Sequence, residues 1–358
     1  MYPKTSDMHK RTMRNLRSRR RVNGFTIVEL LVGVAIGLFL IAVSSIVYIG
    51  NRQTTTTQRD QSQLSQTGAF ALNTLTRMLQ QSGHVAVGGL GADNVPAPNF
   101  CGQATNAIVP PASGTNAGGA IEGLDAASLG TVIGASDMIT VRYYGSSALT
   151  GVSTYRPDGS IRDCFGNSIG GPSGGTGGTD RAWSRLYVDT DTSTGNPALY
   201  CSSLSSAPVG SSMTAQTSAS TQALVDNVES FQVLYGVGAW FDPVSGNKLD
   251  ASKANVTKAI AVTKYLPASA MVVPTDWNNV IAVRVGLVIA GDANSRATPD
   301  STVYSVFGSG YPSSINGAQF DASASTSLAS ARRSRIRQVF STTIELKNAP
   351  LLLGCPVS

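Results

Sequence analysis

Histidine, the side chain that most often serves as a general acid or base, is rare in this sequence. The chain has two histidines, His9 and His84, and a histidine-based nucleophilic site or a histidine-rich metal site needs more partners than these supply. His84 follows a predicted helix end, which favours a capping or exposed position. The sequence also has no GxxxxGK[ST] phosphate-binding motif. We therefore expect no enzyme, assign no catalytic residue, and expect no cofactor and no metal.

Two aspartates, Asp189 and Asp191, lie in the segment DTDTSTG, which has part of the acidic spacing of a calcium loop. The spacing departs from that of an EF-hand, and no glutamate follows at the position that would complete such a loop. A turn between two strands is the simpler interpretation, and calcium binding stays as its alternative.

Four cysteines are spaced too far apart for the CxxC pairs of zinc or redox sites. They are Cys101, Cys164, Cys201 and Cys355. Two disulfides formed in an oxidising compartment are expected, and three connectivities are open. We favour Cys101–Cys164 with Cys201–Cys355, because this arrangement closes successive stretches of chain. Free buried thiols are the alternative.

One carboxylate stands near the N-terminus in otherwise apolar surroundings. The 25 residues of Phe25–Ile49 contain a single charged side chain, Glu29, and no proline. As a helix they would span about 37 Å, more than the hydrocarbon core of about 30 Å. The run is too long for the apolar region of a secretory signal peptide. It predicts a membrane-spanning helix, in which the carboxylate needs a partner.

The positive charge of the chain is concentrated before this apolar run. Residues 1–24 hold eight basic side chains and one acidic one, whereas the rest holds 19 basic and 20 acidic residues. The positive-inside rule therefore keeps the N-terminus in the cytoplasm and exports the body. Because that body is nearly neutral, we expect no nucleic acid as its partner.

The segment GFTIVELLVGVAIGLFLIAV resembles the processing signal of type IV prepilins, with Gly24, then Phe25, then Glu29 four residues later. In that family a prepilin peptidase cleaves after the glycine and methylates the new N-terminal residue, here Phe25. The freed amine is largely protonated at neutral pH. It lies about one helical turn from Glu29, so the two charges can pair within a subunit or between neighbours. The resemblance favours the neighbour, with Glu29 setting axial register. Gly33 and Gly37 form a GxxxG pair that lets helices approach closely.

A second helical pattern follows the apolar run. After a polar stretch, apolar residues recur at spacings of three and four, which predicts an amphipathic helix ending near Ser82–Gly83. They are Phe70, Ala71, Leu72, Leu75, Met78 and Leu79. A helix continuous with the membrane run would have about 59 residues. Its apolar stripe is expected to lie on a sheet.

Several later segments alternate in the manner of strands. Short candidates lie at 137–144, 185–190 and 197–201. The clearer segments VESFQVLYG, VIAVRVGLVIAG and QVFSTTIELKN predict antiparallel strands with one buried face. Residues 85–135 are rich in Gly, Ala, Pro and Asn and show little periodicity, and the glycine-rich residues 170–180 predict a flexible linker or loop.

Three of these stretches, at 224–237, 276–289 and 332–348, resemble segments of PilW-type minor pilins in the same order along the chain. The resemblance implies an α+β type IV pilin fold, with a long N-terminal helix on an antiparallel sheet and long disulfide-tied loops. The expected domains are a removed basic leader (1–24), a transmembrane and filament-core helix (25–52), an amphipathic half of the same helix (53–84) and a periplasmic β-rich head (85–358).

The resemblance also implies a function, that of a minor pilin that helps to prime type IV pilus assembly for adhesion, twitching motility or DNA uptake. Its expected partners are the inner membrane before assembly, the prepilin peptidase, other minor pilins, the major pilin and, as a further candidate, a tip adhesin. The expected location is the inner membrane, with one span and a periplasmic C-terminal domain, and then the pilus. A J-type minor pseudopilin of type II secretion is the near alternative. A membrane-anchored periplasmic enzyme or binding protein is the alternative from another class.

Overall fold

The structure is a computed structural model. It describes residues 24–84, 120–125, 136–150, 155–171, 181–207, 219–248, 259–272, 275–293, 295–296, 298–311, 317–323 and 334–348. The chain divides into two compact units, Met1–Thr55 and Thr56–Ser358. Each unit is described by itself below.

The first unit contains the beginning of helix α1, which runs over Ile27–Gln80. From Ile27 to Tyr48 this helix has a mean hydropathy of 2.8, and none of that segment is buried. A helix of this length and composition can cross a membrane. Its apolar side chains point in all directions, whereas a helix on the surface of a soluble domain keeps one polar face.

The later part of α1 belongs to the second unit and packs on its core. The buried side chains recur at helical spacing, as predicted. They are Leu64, Ala71, Leu75, Met78 and Leu79. At Gly68 a β-carbon would overlap the ring of Phe340, so the missing side chain lets the helix lie close to the sheet.

Phe70 was predicted to belong to the buried stripe, and that prediction is wrong. Its side chain is 57% exposed, because it lies about 100° around the helix from Ala71 and about 140° from Leu75, outside the buried stripe. Phe70 instead lines an open cleft of ≈ 510 Å³ beside Leu64 and Leu224.

Helix α1 ends close to the predicted residues. The N–H groups of Gln81 and Ser82 donate to the carbonyls of Met78 and Leu79, at 3.3 and 3.0 Å. Gly83 then adopts a φ of 70°, a left-handed conformation that suits glycine at the end of a helix.

The remaining described elements are short helices and strands. A 3₁₀ turn covers Ala268–Ala270, and helix α2 covers Thr275–Asn278. The strands are β1 (Ile121–Leu124), β2 (Met138–Tyr143), β3 (Ser147–Leu149), β4 (Tyr155–Pro157), β5 (Arg181–Thr190), β6 (Pro197–Ala207), β7 (Ser220–Asp226), β8 (Val228–Phe241), β9 (Ala259–Leu266), β10 (Val280–Ala290), β11 (Val303–Ser305), β12 (Gln319–Asp321) and β13 (Arg337–Glu345).

The strands form two main antiparallel sheets. One has the order β1-β2-β5-β6-β7 and the other the order β13-β10-β8-β9, with two small hairpins, β3-β4 and β11-β12. Side chains from both main sheets and from α1 share one hydrophobic core. The expectation of an α+β fold with a long N-terminal helix and antiparallel sheets is confirmed.

The central strands β8 and β10 are buried along nearly their whole length, so the prediction of one buried face is wrong for them. Their second face is covered by the segment around β11 and β12. Val288 packs with Val306 and Phe320, and Leu234 packs with Phe307. The alternation in β10 concealed this layer, because the second face includes Gly286, which carries no side chain.

The structure pairs Cys164 with Cys201, at a sequence separation of 37 residues. The favoured pairings of Cys164 with Cys101 and of Cys201 with Cys355 are therefore wrong. Both bonded cysteines are buried in the core, Cys201 on β6 and Cys164 on the loop after β4. Folding brings that loop onto the sheet, which the order of cysteines along the chain does not reveal. Cys101 and Cys355 lie outside the described residues.

Candidate functional site

The residues expected to be processed lie just before the start of α1. Gly24 and Phe25 are outside the helix, which begins at Ile27. The Phe25 side chain is 82% exposed, and no atom of the described chain beyond the adjacent residues lies within 4 Å of a β-carbon placed on Gly24. The peptide bond between these residues is therefore open to another molecule.

Glu29 lies in the first turn of α1, three residues after Thr26. Its backbone N–H donates to Oγ1 of Thr26 at 3.2 Å, and the N–H of Leu30 donates to the Thr26 carbonyl at 3.1 Å. Thr26 is therefore the N-cap residue and Glu29 is the third helical residue. A carboxylate at this position interacts favourably with the positive end of the helix dipole.

Gly33 and Gly37 lie one helical turn apart on the first unit. No described side chain approaches within 4 Å of a β-carbon placed on either of them. Around them Val34, Ile36 and Leu40 are more than half exposed. An uncovered apolar helix of this kind is stable only where lipid or other apolar helices surround it.

His84 has a structural environment at the end of the helical segment. Its Nδ1 donates to the carbonyl of Tyr144 at 2.8 Å, and the Tyr144 N–H donates to the His84 carbonyl at 2.8 Å. These bonds attach the end of α1 to the end of β2. The sequence predicted a capping or exposed histidine at this position. In the structure the His84 ring is hydrogen-bonded to the Tyr144 carbonyl.

Asp191 organises the turn between β5 and β6. Its carboxylate accepts from the N–H of Ser193 at 2.8 Å and from Oγ1 of Thr194 at 2.9 Å. These bonds, led by the one from the Ser193 backbone, lower the pKa of Asp191. The loop is thus closed by its own hydroxyl and amide groups, as the turn interpretation predicted. Within the described ranges, no group of three or more metal-ligating side chains is arranged to hold an ion.

A buried charge network in the second unit was not predicted. Arg337 Nε lies 2.6 Å from Glu229 Oε2, and Arg337 Nη1 lies 3.3 Å from Asp300 Oδ2. All three side chains have no exposed surface. Arg296 and the Tyr304 hydroxyl also bond Asp300, at 2.7 and 2.6 Å. Charges this far from water are tolerated only when they are paired.

The protonation of this network follows from its contacts. Burial alone would raise the pKa of Asp300, but hydrogen bonds from Tyr304 and Thr302, together with the charge of Arg296, lower it below its ordinary value. Burial and the bond to Asp300 raise the pKa of Tyr304 to about 12. The carboxylate stays charged and the phenol neutral at pH 7, which suits a fixed structural network.

The structure places the predicted residues in two separate groups. Gly24, Phe25, Glu29, Gly33 and Gly37 lie along the start of α1, and the bonded cysteines lie in the core of the second unit. Sequence reasoning missed Thr26, although the pattern Thr-x-x-Glu at 26–29 is a known sign of a helix start. It also missed the ion pairs of Arg337, which no short sequence pattern indicates.

Two family models match segments of the chain. Residues 185–348 match the family model described as Type IV Pilus-assembly protein W, and residues 19–45 match the Prokaryotic N-terminal methylation motif. No curated protein shows significant similarity to the chain. Among solved structures, the type IV-like pilin TTHA1219 from Thermus thermophilus matches with a TM-score of 0.24 and 12% identity, over 60% of this chain and 79% of that one. These two matches, which cover residues 185–348 and 19–45, support a type IV pilin-like protein of the PilW family.

Proposed function

We propose that the chain is a minor pilin that enters type IV pili and helps to prime their assembly. A prepilin peptidase cleaves after Gly24 and methylates Phe25. The start of α1 anchors the protein in the inner membrane and then becomes part of the filament core, while the head lies in the periplasm. The observation that carries this proposal is the uncovered apolar helix of Ile27–Tyr48 directly after the processing motif.

The apolar helix supports both stages of this pathway. Before assembly, lipid covers its side chains, and in the filament the equivalent helices of neighbouring subunits do so. A head domain with its own hydrophobic core stays folded during the transfer. Gly33 and Gly37 are the positions at which another helix can approach most closely.

Glu29 is proposed to select the position of the incoming subunit. Cleavage creates a positively charged amine on Phe25, and in an apolar environment an opposite charge within reach is strongly favoured. Pairing of Glu29 with the Phe25 amine of a neighbour would fix the axial offset between two subunits. The other proposed partners are minor pilins, the major pilin and a tip adhesin.

The first experiment determines the N-terminus of the mature protein by mass spectrometry. The proposal predicts a chain that starts at Phe25 and carries an N-methyl group. A protein purified from its native host that retains Met1, or that starts after Ile49, would contradict it.

The second experiment tests assembly with Glu29→Gln, which removes the charge but keeps the size of the side chain. The variant should still insert in the membrane and be cleaved, yet it should fail to restore pili in a strain that lacks the gene. Glu345→Gln removes an exposed carboxylate from the head and serves as the matched control, with normal piliation. Normal piliation by Glu29→Gln would favour a membrane-anchored enzyme or binding protein, and loss of type II secretion without loss of pili would favour a pseudopilin.

A further inference from the structure

The first turn of α1 has a defined start. Thr26 contributes its hydroxyl oxygen to the N–H of Glu29 and its carbonyl to the N–H of Leu30. The first helical residue is Ile27. Gly24 and Phe25 therefore remain outside the helix, separated from it by the capping residue alone.

A cap determines where a helix begins because it satisfies N–H groups that otherwise have no partner. The first four N–H groups of a helix lack acceptors within the helix. If the Thr26 hydroxyl were absent, the Glu29 N–H could find an acceptor in the Phe25 carbonyl, four residues earlier, which would extend the helix to Phe25 and place Gly24 next to its new start. Lipid around the helix increases this tendency, because it offers no other acceptor.

Extension of the helix would enclose the bond that must be cut. Cleavage adds the hydroxyl of a water molecule to the Gly24 carbonyl carbon, breaks the bond to the Phe25 nitrogen, and leaves a carboxylate and a protonated amine. A helical Gly24 would bond its carbonyl to an N–H four residues later and surround it with the helix backbone. Proteolysis takes place most readily at exposed chain outside regular structure.

We propose that Thr26 is a positioning residue for prepilin cleavage, whose hydroxyl ends the helix at Ile27 and holds the Gly24–Phe25 bond outside it. This inference rests on the proposed processing of the chain. In this role the Thr26 side chain acts by hydrogen bonding to the backbone of its own helix, and not through contact with the peptidase. The hydroxyl group is the essential feature, and the methyl group is not.

The test compares Thr26→Val with Thr26→Ser in the full-length precursor, purified in detergent and incubated with purified prepilin peptidase. Valine has the shape of threonine and a similar helix propensity but cannot accept a hydrogen bond, whereas serine keeps the acceptor and loses the methyl group. The initial cleavage rate of Thr26→Val should be about five-fold lower, the effect of losing a typical cap of about 1 kcal/mol. Thr26→Ser should be cleaved within about two-fold of the wild-type rate.

Hydrogen exchange in the same full-length precursors supplies a readout that does not depend on the peptidase. In Thr26→Val the amides next to the cleavage site should become more protected as the helix extends, and in Thr26→Ser they should not. Wild-type cleavage of Thr26→Val would overturn the inference, as would slow cleavage of Thr26→Ser, which would mean that the peptidase reads the methyl group. If the wild-type precursor is never cut after Gly24, the proposed function fails, while the exchange experiment still decides whether Thr26 is the cap.

Discussion

Arg337 on β13 and Glu229 on β8 form a buried ion pair although their strands are not adjacent. Strand β10 lies between β8 and β13 in the sheet, and Arg337, which pairs with Ala290 of β10, reaches across that strand to place Nε 2.6 Å from Glu229 Oε2. The pair therefore links the two strands that flank β10, at one end of the four-stranded sheet. Asp300 adds a second carboxylate on the same guanidinium.

Removal of the guanidinium should strongly destabilise the head. In Arg337→Met the buried Glu229 carboxylate would lose its cation and Asp300 would keep Arg296 alone of its two arginines, and breaking a buried pair typically costs about 3–5 kcal/mol. Thermal unfolding of the full chain in detergent, followed by circular dichroism, measures the effect. Lys264→Met is the control, because the Lys264 side chain is 47% exposed and such a pair contributes about 1 kcal/mol or less. Equal losses of stability in both variants would show that the buried network contributes no more to stability than an exposed ion pair.

The head should lose stability in acid through Asp300. Its pKa is lower in the folded protein than the ordinary value of 3.8, so the unfolded chain takes up the proton first as the pH falls. The stability from this group is complete above about pH 4 and is lost as the pH falls through the folded pKa. The difference in Tm between wild type and Asp300→Asn should therefore shrink below pH 4. Parallel curves down to pH 2.5 would contradict this assignment.

Truncation of the side chain should reduce the stability of the head strongly at one position on α1 and hardly at all at another. Leu75 is fully buried and Phe70 is 57% exposed. Leu75→Ala should destabilise the head by about 2–5 kcal/mol, whereas Phe70→Ala should change its stability by about 0.5 kcal/mol or less. Denaturant unfolding of the full chain in detergent compares the two variants. A larger loss for Phe70→Ala would mean that Phe70 belongs to the core after all.

Loss of the Cys164–Cys201 bond should destabilise the head by about 4 kcal/mol, the chain-entropy value for a loop of this length. Cys164→Ala and Cys201→Ala should each have this effect, and the double variant should add little. Mass spectrometry of peptides prepared without reduction should recover the Cys164 and Cys201 peptides joined. A Cys101 peptide joined to either of them would contradict the structure.

The sequence predicts which segments form helices and strands better than it predicts which of these elements pack against each other. Alternation identified β8, β10 and β13, and helical spacing identified the buried stripe of α1, because each pattern follows from local backbone geometry. The second layer over β8 and β10 was missed, since Gly286 and its polar neighbours resemble a solvent-facing side. Only the fold shows that β11 and β12 cover that face.

The functional and buried charged residues also differ in whether the sequence alone can reveal them. The proposal for Gly24, Phe25 and Glu29 comes from the sequence, because a peptidase signal consists of residues in a short, local stretch of chain. Thr26 could have been identified from its spacing to Glu29. The network of Arg337, Glu229 and Asp300 could not, because its members are far apart in the chain and resemble ordinary charged residues.

By itself the sequence determined the membrane-length helix, the processing motif, the amphipathic stripe and the main strands, all of which depend on residues close together in the chain. The tertiary structure alone decided that Cys164 bonds Cys201, that Phe70 faces outward and that Arg337 joins β8 to β13. These outcomes depend on which distant segments meet when apolar surface is buried. Neither the spacing nor the order of the residues determines that choice, because many arrangements of the same elements satisfy the local rules.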